Sequence, residues 1–320
     1  KSQSTNDTFP TAIQISVVTQ IIKKLVPSIK KLTKVLDSKS NEWKDLIKIG
    51  RTHFQDAVPI SLGQEVSAWS KQLKDAEDAL IISLDELCFL PLGGTAVGTG
   101  INCPKDFSKE SIKSISEYTG LFFYQSKNHF SLMASHDRLA QVMGQIKILA
   151  SALFKISNDI KILSSGPRSG FYELIIPQNE PGSSIMPGKV NPTQCEALSM
   201  VCTQVMGFEY AVSIANASGT LQMNEYKPLI GFNILTSIKL LNHAISNFRL
   251  KLVEGIQPNP KTIKANLENS LMLVTALVPK IGYEKAAEIA NLAFNESINL
   301  KEATIKLGYL TANDFEDAIN

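Results

Sequence analysis

The chain has 320 residues, 44% of them hydrophobic and 19% charged, with a formal net charge of +2. That length is worth about two domains with an ample core, and the apolar share excludes a disordered chain. So small a net charge gives no electrostatic reason to expect a nucleic acid or an anionic membrane as partner.

In chain order, Ile13, Val17, Ile21, Leu25, Ile29, Leu32 and Leu36 recur at steps of three or four. They predict a first helix, entered through Thr8 and Pro10 and kinked at Pro27. Residues 50–63 read as irregular. A second helix carries Val66, Trp69, Leu73, Ala76, Leu80, Leu84 and Leu87 behind the capping pattern Ser61-x-x-Gln64. After a glycine-rich turn at 93–102, a third helix follows Leu139, Val142, Ile146, Leu149, Leu153, Ile156, Ile160 and Leu163. Residues 164–188 again read as irregular. A fourth helix is expected to begin at Asn191 as N-cap, with Pro192 in the first helical position and Gln194 reaching back, and to stop at Ser218-Gly219. A fifth runs from about Tyr226 to Val253. Gln257-Pro258-Asn259-Pro260 reads as a linker, and the segments beyond it as a small helical appendage.

Long helices must bury their apolar stripes against one another. The expected fold is therefore all-α, a long up-and-down helical bundle over 1–256 with a small C-terminal helical domain over 257–320. Alternating strands, internal repeats and an apolar run long enough to span a bilayer are not evident. The chain opens on Lys1-Ser2-Gln3 without a Met, so a leader or a whole domain upstream is left open. Four cysteines without C-x-x-C spacing and four scattered histidines predict no metal site and a reducing compartment.

The richest chemistry lies in Gly182-Ser183-Ser184-Ile185-Met186-Pro187-Gly188-Lys189-Val190-Asn191-Pro192, running on to Glu196. Two glycines let the backbone curl, so that successive N–H groups point inward at the start of a helix. Hydroxyls, an amide and a cation stand beside them, which makes the loop a candidate anion holder. Glu196, one turn inside, leans back toward the loop.

Other motifs admit two readings. His53 is either a polar loop residue satisfied locally, the commoner case for a lone histidine, or an acid–base group oriented by Glu196. Ser4, Thr5 and Asn6 cap a helix, present donors to an acidic substrate, or both. The glycines of 93–100 lack the Gly-Lys-Ser/Thr ending and a preceding strand, so nucleotide binding is rejected in favour of a turn that allows close helix approach. Ser164 to Gly170 reads as a helix stop, with Arg168 available to brace a carboxylate.

The loop from Gly182 to Glu196 resembles that of class II fumarase in the aspartase/fumarase superfamily. Ser4 through Ala12, Gly50-Arg51-Thr52-His53, Gly93 through Asn102, and Ser165 through Gly170 are similar in the same order. The continuation Pro192-Thr193-Gln194-Cys195-Glu196, with Gly188 before the lysine, resembles fumarase more than aspartase, argininosuccinate lyase or adenylosuccinate lyase. The resemblance implies reversible hydration of fumarate to L-malate with no metal and no organic cofactor. It makes Ser183 the base at C3 of malate, and His53 with Glu196 the pair that handles the water. It gives the carboxylates to Ser4, Thr5, Asn6, Thr52, Ser184, Lys189, Val190 and Asn191.

It also implies a homotetramer whose sites each draw on three subunits, a cytoplasmic or mitochondrial-matrix location, and an N-terminal domain ahead of this chain's first residue. Aspartate ammonia-lyase and a catalytically idle scaffold are the rival readings.

Overall fold

The computed structural model describes residues 3–319. It is all-α in class, with three small two-stranded sheets, and divides into two compact units. The first takes the residues through Val35 with Trp69–Lys161 and Ile176–Gly255; the second takes Leu36–Ala68, Ile162–Ile175 and the chain from Ile256 onward. Where the sequence suggests one boundary near 256, the second unit thus also draws on two earlier segments.

From the first unit, α1 (Thr5–Gln20) continues through a π-helical turn at Ile21–Leu25 into α2 (Val26–Glu42), whose residues from Leu36 belong to the second. The wider turn comes directly before Pro27, whose ring clashes with a regular helix and whose missing N–H leaves a carbonyl free. The next long helix, α3 (Leu62–Ser83), starts with the predicted capping box: Gln64 N–H donates to Ser61 Oγ and Ser61 N–H to Gln64 Oε1. Two short helices follow, α4 (Phe107–Thr119) and α5 (His129–Ala134), and then the long α6 (Asp137–Leu163), α7 (Thr193–Ala217) and α8 (Lys227–Phe248).

Side-chain contacts give the directions. Gln14 donates to Leu87 O and Lys30 reaches Glu77, so the first helix and α3 are antiparallel. Trp69 Nε1 donates to Asp159 and Arg138 approaches Glu86, so α3 and α6 are antiparallel too. The pairs Ser157–Ser199, Lys147–Glu209 and Asp137–Asn216 set α6 against α7 in the same way. This is an up-and-down bundle, with Val17, Leu73, Ile146, Val205 and Ile234 among its fully buried side chains. Each such side chain contributes about 1.5–3 kcal/mol by leaving water.

Three helical stretches, Thr5–Glu42, Asp137–Leu163 and Thr193–Ala217, are long and apolar enough to cross a membrane by length and composition alone. This corrects the expectation that no such run exists. Isolated polar residues interrupt each run, although its mean hydropathy is high. Within the chain, 50%, 44% and 22% of the apolar windows of these three are buried, the least in α7.

The second unit holds a hairpin that the sequence pattern does not reveal. Strands β1 (Ile47–Thr52) and β2 (Gln55–Ser61) form an antiparallel hairpin where irregular chain was expected. The bulge at Gly50 hides the alternation: a Cβ there would meet Val58 O at 2.7 Å. Strands β3 (Phe89–Leu90) and β4 (Tyr124–Gln125) pair in the first unit, and β5 (Leu174–Ile175) and β6 (Gln257–Pro258) in the second. Helices α9 (Pro260–Asn269), α10 (Val278–Ile281), α11 (Tyr283–Glu296), α12 (Leu300–Lys306) and α13 (Ala312–Ile319) complete the chain. Leu277, Ile289, Ala293, Leu300, Ala303 and Phe315 share a core there.

Candidate active site

The loop ahead of α7 is closed by side chains and backbone. Asn191 does not cap the helix as expected: the N-cap is Pro192, without a side-chain cap bond, and Asn191 Nδ2 donates instead to Gly182 O at 2.6 Å. Closing the loop ties its two ends together, and Gly182 permits it, since a Cβ there would sit 1.9 Å from Lys189 O. Gly188 takes φ 80°, in the region that favours glycine. Thr193 Oγ1 donates to Glu180 and ties the helix start to the strand of chain before the loop.

Inside this loop, Ser183 Oγ accepts the N–H groups of Ile185 at 3.2 Å and Met186 at 3.1 Å. Two donors aimed at one oxygen favour its anionic form over its neutral one. Ser183 is half-buried, whereas Ser184, Lys189, Val190 and Glu196 are exposed and Asn191 is half-buried. Cys195 and Cys202 on α7 are buried; burial pushes both thiols up to about 12, which leaves no reactive thiolate beside the loop.

Ser4, Thr5 and Asn6 stand at the start of α1. Ser4 is its N-cap, accepting from Asn6 N–H at 3.1 Å, while Ser4 N–H donates to Asp7 Oδ1 at 3.1 Å. The helix therefore starts at Thr5, ahead of the predicted entry through Thr8. Asn6 Nδ2 donates to Ala96 O at 2.9 Å. Asp7 was not singled out from the sequence, yet it is fully buried and its Oδ2 accepts the N–H groups of Gly93 and Thr95 at 3.0 and 2.8 Å. It pins the glycine-rich turn to the helix start. Gly94 lets that turn approach α5, because a Cβ there would meet Met133 Sδ at 2.6 Å.

Within the first unit these two groups lie at opposite ends. Ile13 packs against Gly231 and Asn179 Nδ2 donates to Lys251 O, so α1 begins at the end where α8 begins, and the Ser183 loop sits at the end where α8 finishes. The 25 residues of α7 span about 37 Å between those ends.

Thr52 and His53 occupy the tip of the β1–β2 hairpin rather than a loop ahead of a helix. His53 and Phe54 take φ 56° and 61°, the pair of left-handed residues that a two-residue hairpin turn demands and that Asn-Gly ordinarily supplies. Each costs about 1–2 kcal/mol for a residue with a Cβ. Both are exposed, as is Thr52. Below them, Arg51 Nη2 donates to Glu173 Oε1 at 2.7 Å, and the guanidinium carbon of Arg51 lies 4.5 Å from the centroid of the Phe171 ring. Lys48 pairs with Glu173 Oε2 at 3.0 Å and Glu65 at 2.8 Å, and Asn266 Nδ2 donates to Glu173 Oε1 at 3.1 Å. Burial alone would raise the Glu173 carboxyl; the bonds and charges of Arg51 and Lys48 outweigh it and hold the group below its usual range. The bracing cation is thus Arg51, whereas Arg168 is exposed.

One chain therefore gathers Ser183, Ser184, Lys189, Val190, Asn191 and Glu196 on one loop and helix start, Ser4 to Asn6 at the far end of the same bundle, and Thr52 with His53 on the hairpin. A profile described as lyase matches residues 1–207, and one described as fumarase C C-terminus matches 273–320. The chain is 98% identical over 320 residues to a fumarate hydratase class II of Prochlorococcus marinus strain MED4, covering 100% of itself and 69% of that relative. It is 56% identical to the protein of the same name from strain MIT 9313, again over 100% of itself and 69% of the relative. Among solved structures, a class II fumarase from Schistosoma mansoni superposes with a TM-score of 0.96 at 43% identity, over 100% of this chain and 70% of that one. With this agreement of sequence and fold, the chain belongs to the class II fumarate hydratase family.

Proposed function

We infer that the protein catalyses the reversible hydration of fumarate to L-malate, with Ser183 as the base at C3. The observation that carries the assignment is the pair of loop N–H groups converging on Ser183 Oγ. An ordinary hydroxyl is far too weak a base to take hydrogen from carbon. Donors already in place change that balance once the assembled site shuts out water, each on the order of 3–4 kcal/mol where such donors have been removed.

In the malate-to-fumarate direction, Ser183 removes the C3 proton and the electron pair spreads into the neighbouring carboxylate. Lys189 and Asn191, from the same loop, meet that charge, with Ser184 and the backbone at Val190 beside them. His53, oriented by Glu196, then passes a proton to the departing hydroxyl, and the C2–O bond breaks to give fumarate and water. Thr52 and the Ser4, Thr5 and Asn6 cluster hold the second carboxylate.

The separation of about 37 Å between Asn6 and Ser183 along one bundle means that a site using both draws on more than one copy. A homotetramer with shared sites satisfies this requirement. The outward face of α7 supports it, with Met200 67%, Tyr210 70% and Ile214 53% exposed, large apolar side chains that need cover. The four free thiols fit a reducing compartment, and we place the protein in the cytoplasm.

The test is incubation of the full-length protein with malate, following fumarate by its ultraviolet absorbance, with aspartate in parallel. Fumarate from malate is the expected result. Release from aspartate alone would establish an ammonia-lyase instead, and silence from a correctly assembled protein an idle scaffold.

A further inference from the structure

Glu173 is 0% exposed and takes no part in the proton transfers above, yet two cations of one strand converge on it. Lys48 and Arg51 are three residues apart, a spacing that in a regular strand sends side chains to opposite faces. The slip of register between Ile49 and Arg51 turns them to the same side, so the bulge at Gly50 makes the shared carboxylate reachable. Glu173 is itself held firmly. Its N–H donates to Leu163 O at 2.9 Å, its C=O accepts Asn259 N–H at 2.9 Å, and Phe171 lies under the Arg51 guanidinium.

The hairpin needs such a hold. Its tip carries two non-glycine residues in the left-handed region, and strand β2 faces solvent at Gln55, Asp56, Val58 and Pro59. β2 packs against residues 271–277, and β1 anchors the turn from the other side through Arg51 and Thr52, its last two residues before His53.

We propose that Glu173 is a positioning residue for the Thr52–His53 turn, acting through Arg51 and Lys48 to fix the strand that presents the imidazole. Its charge does this, because an amide of the same size offers an acceptor oxygen on one side only and would turn N–H donors toward the other cation. The kinetic part of the proposal rests on the hydratase reading. The structural part does not.

Glu173→Gln in the full-length protein tests it, with Arg51→Met as the companion that leaves Glu173 paired to Lys48. Both should lower kcat for malate by at least about tenfold, since small misplacements of a reacting group are costly. KM should stay within about threefold, because most carboxylate contacts come from other elements. Amide exchange at Thr52 to Gln55 should quicken by about tenfold or more while α6 and α7 keep their protection, a local loosening that a general loss of stability would not give.

Arg51→Lys, which keeps the ion pair, should recover most of the loss. A folded Glu173→Gln or Arg51→Met protein with wild-type kcat and wild-type exchange at the turn would overturn the proposal. If Glu173→Gln does not fold, Arg51→Met decides. Should the wild type fail to convert malate, the hydratase reading falls, and exchange at the turn still decides whether Glu173 positions it.

Discussion

Ser183 owes its assigned basicity to hydrogen bonds that no side chain supplies. Replacing it with alanine removes the base while leaving the Asn191 to Gly182 closure intact, so kcat should fall by about two to four orders of magnitude with an unchanged melting temperature. Fumarate formation from malate, beside a thermal melt, measures both. His136 makes the opposite kind of case. It is 4% exposed at the start of α6; burial, with Lys227 nearby, lowers it from 6.5 to about 4, against the smaller opposing pull of an Asn224 backbone bond and Asp137. The folded value lies below the unfolded one, so its contribution is fully present above pH 6.5 and drains away as pH falls toward 4. The total is roughly 3 kcal/mol. A His136→Asn protein should therefore show a flatter fall in melting temperature between pH 6.5 and 4 than the parent.

At the scale of elements, the helices were readable because each carries its own apolar stripe, and the stripe repeats whatever the helix packs against. The capping box at Ser61 and Gln64 was readable for the same local reason. The hairpin was not, since its bulge and its exposed second strand erase the alternation that marks a strand. Asn191 stands where either a helix cap or a loop tie would fit, and only the return of Gly182 to its side chain decides between them. That closure is testable by Gly182→Ala: a methyl placed 1.9 Å from Lys189 O must force the loop open. Turnover should drop by about a hundredfold, while circular dichroism and the melt of the bundle stay as they were.

For the whole molecule, the decisive quantity is the distance between the Asn6 end and the Ser183 end of one bundle. If sites are completed between copies, Asn6→Ala and Ser183→Ala proteins, each nearly inactive, should regain part of the wild-type activity when unfolded together and reassembled. Some sites in the mixed oligomer then receive both native groups. A mixture no more active than its parents would mean that the site is built within one chain.

Taken alone, the residues determined the helical class, the chemistry of the loop at 182–196 and the family it resembles, because periodicity, capping and motif spacing are local and survive without partners. Tertiary structure alone decided that Asp7 pins a distant turn and that Glu173 gathers Lys48 and Arg51. It also decided that His53 sits on a strained hairpin tip. These depend on groups up to 122 residues apart meeting in space, and burial and direction arise only when the chain has folded.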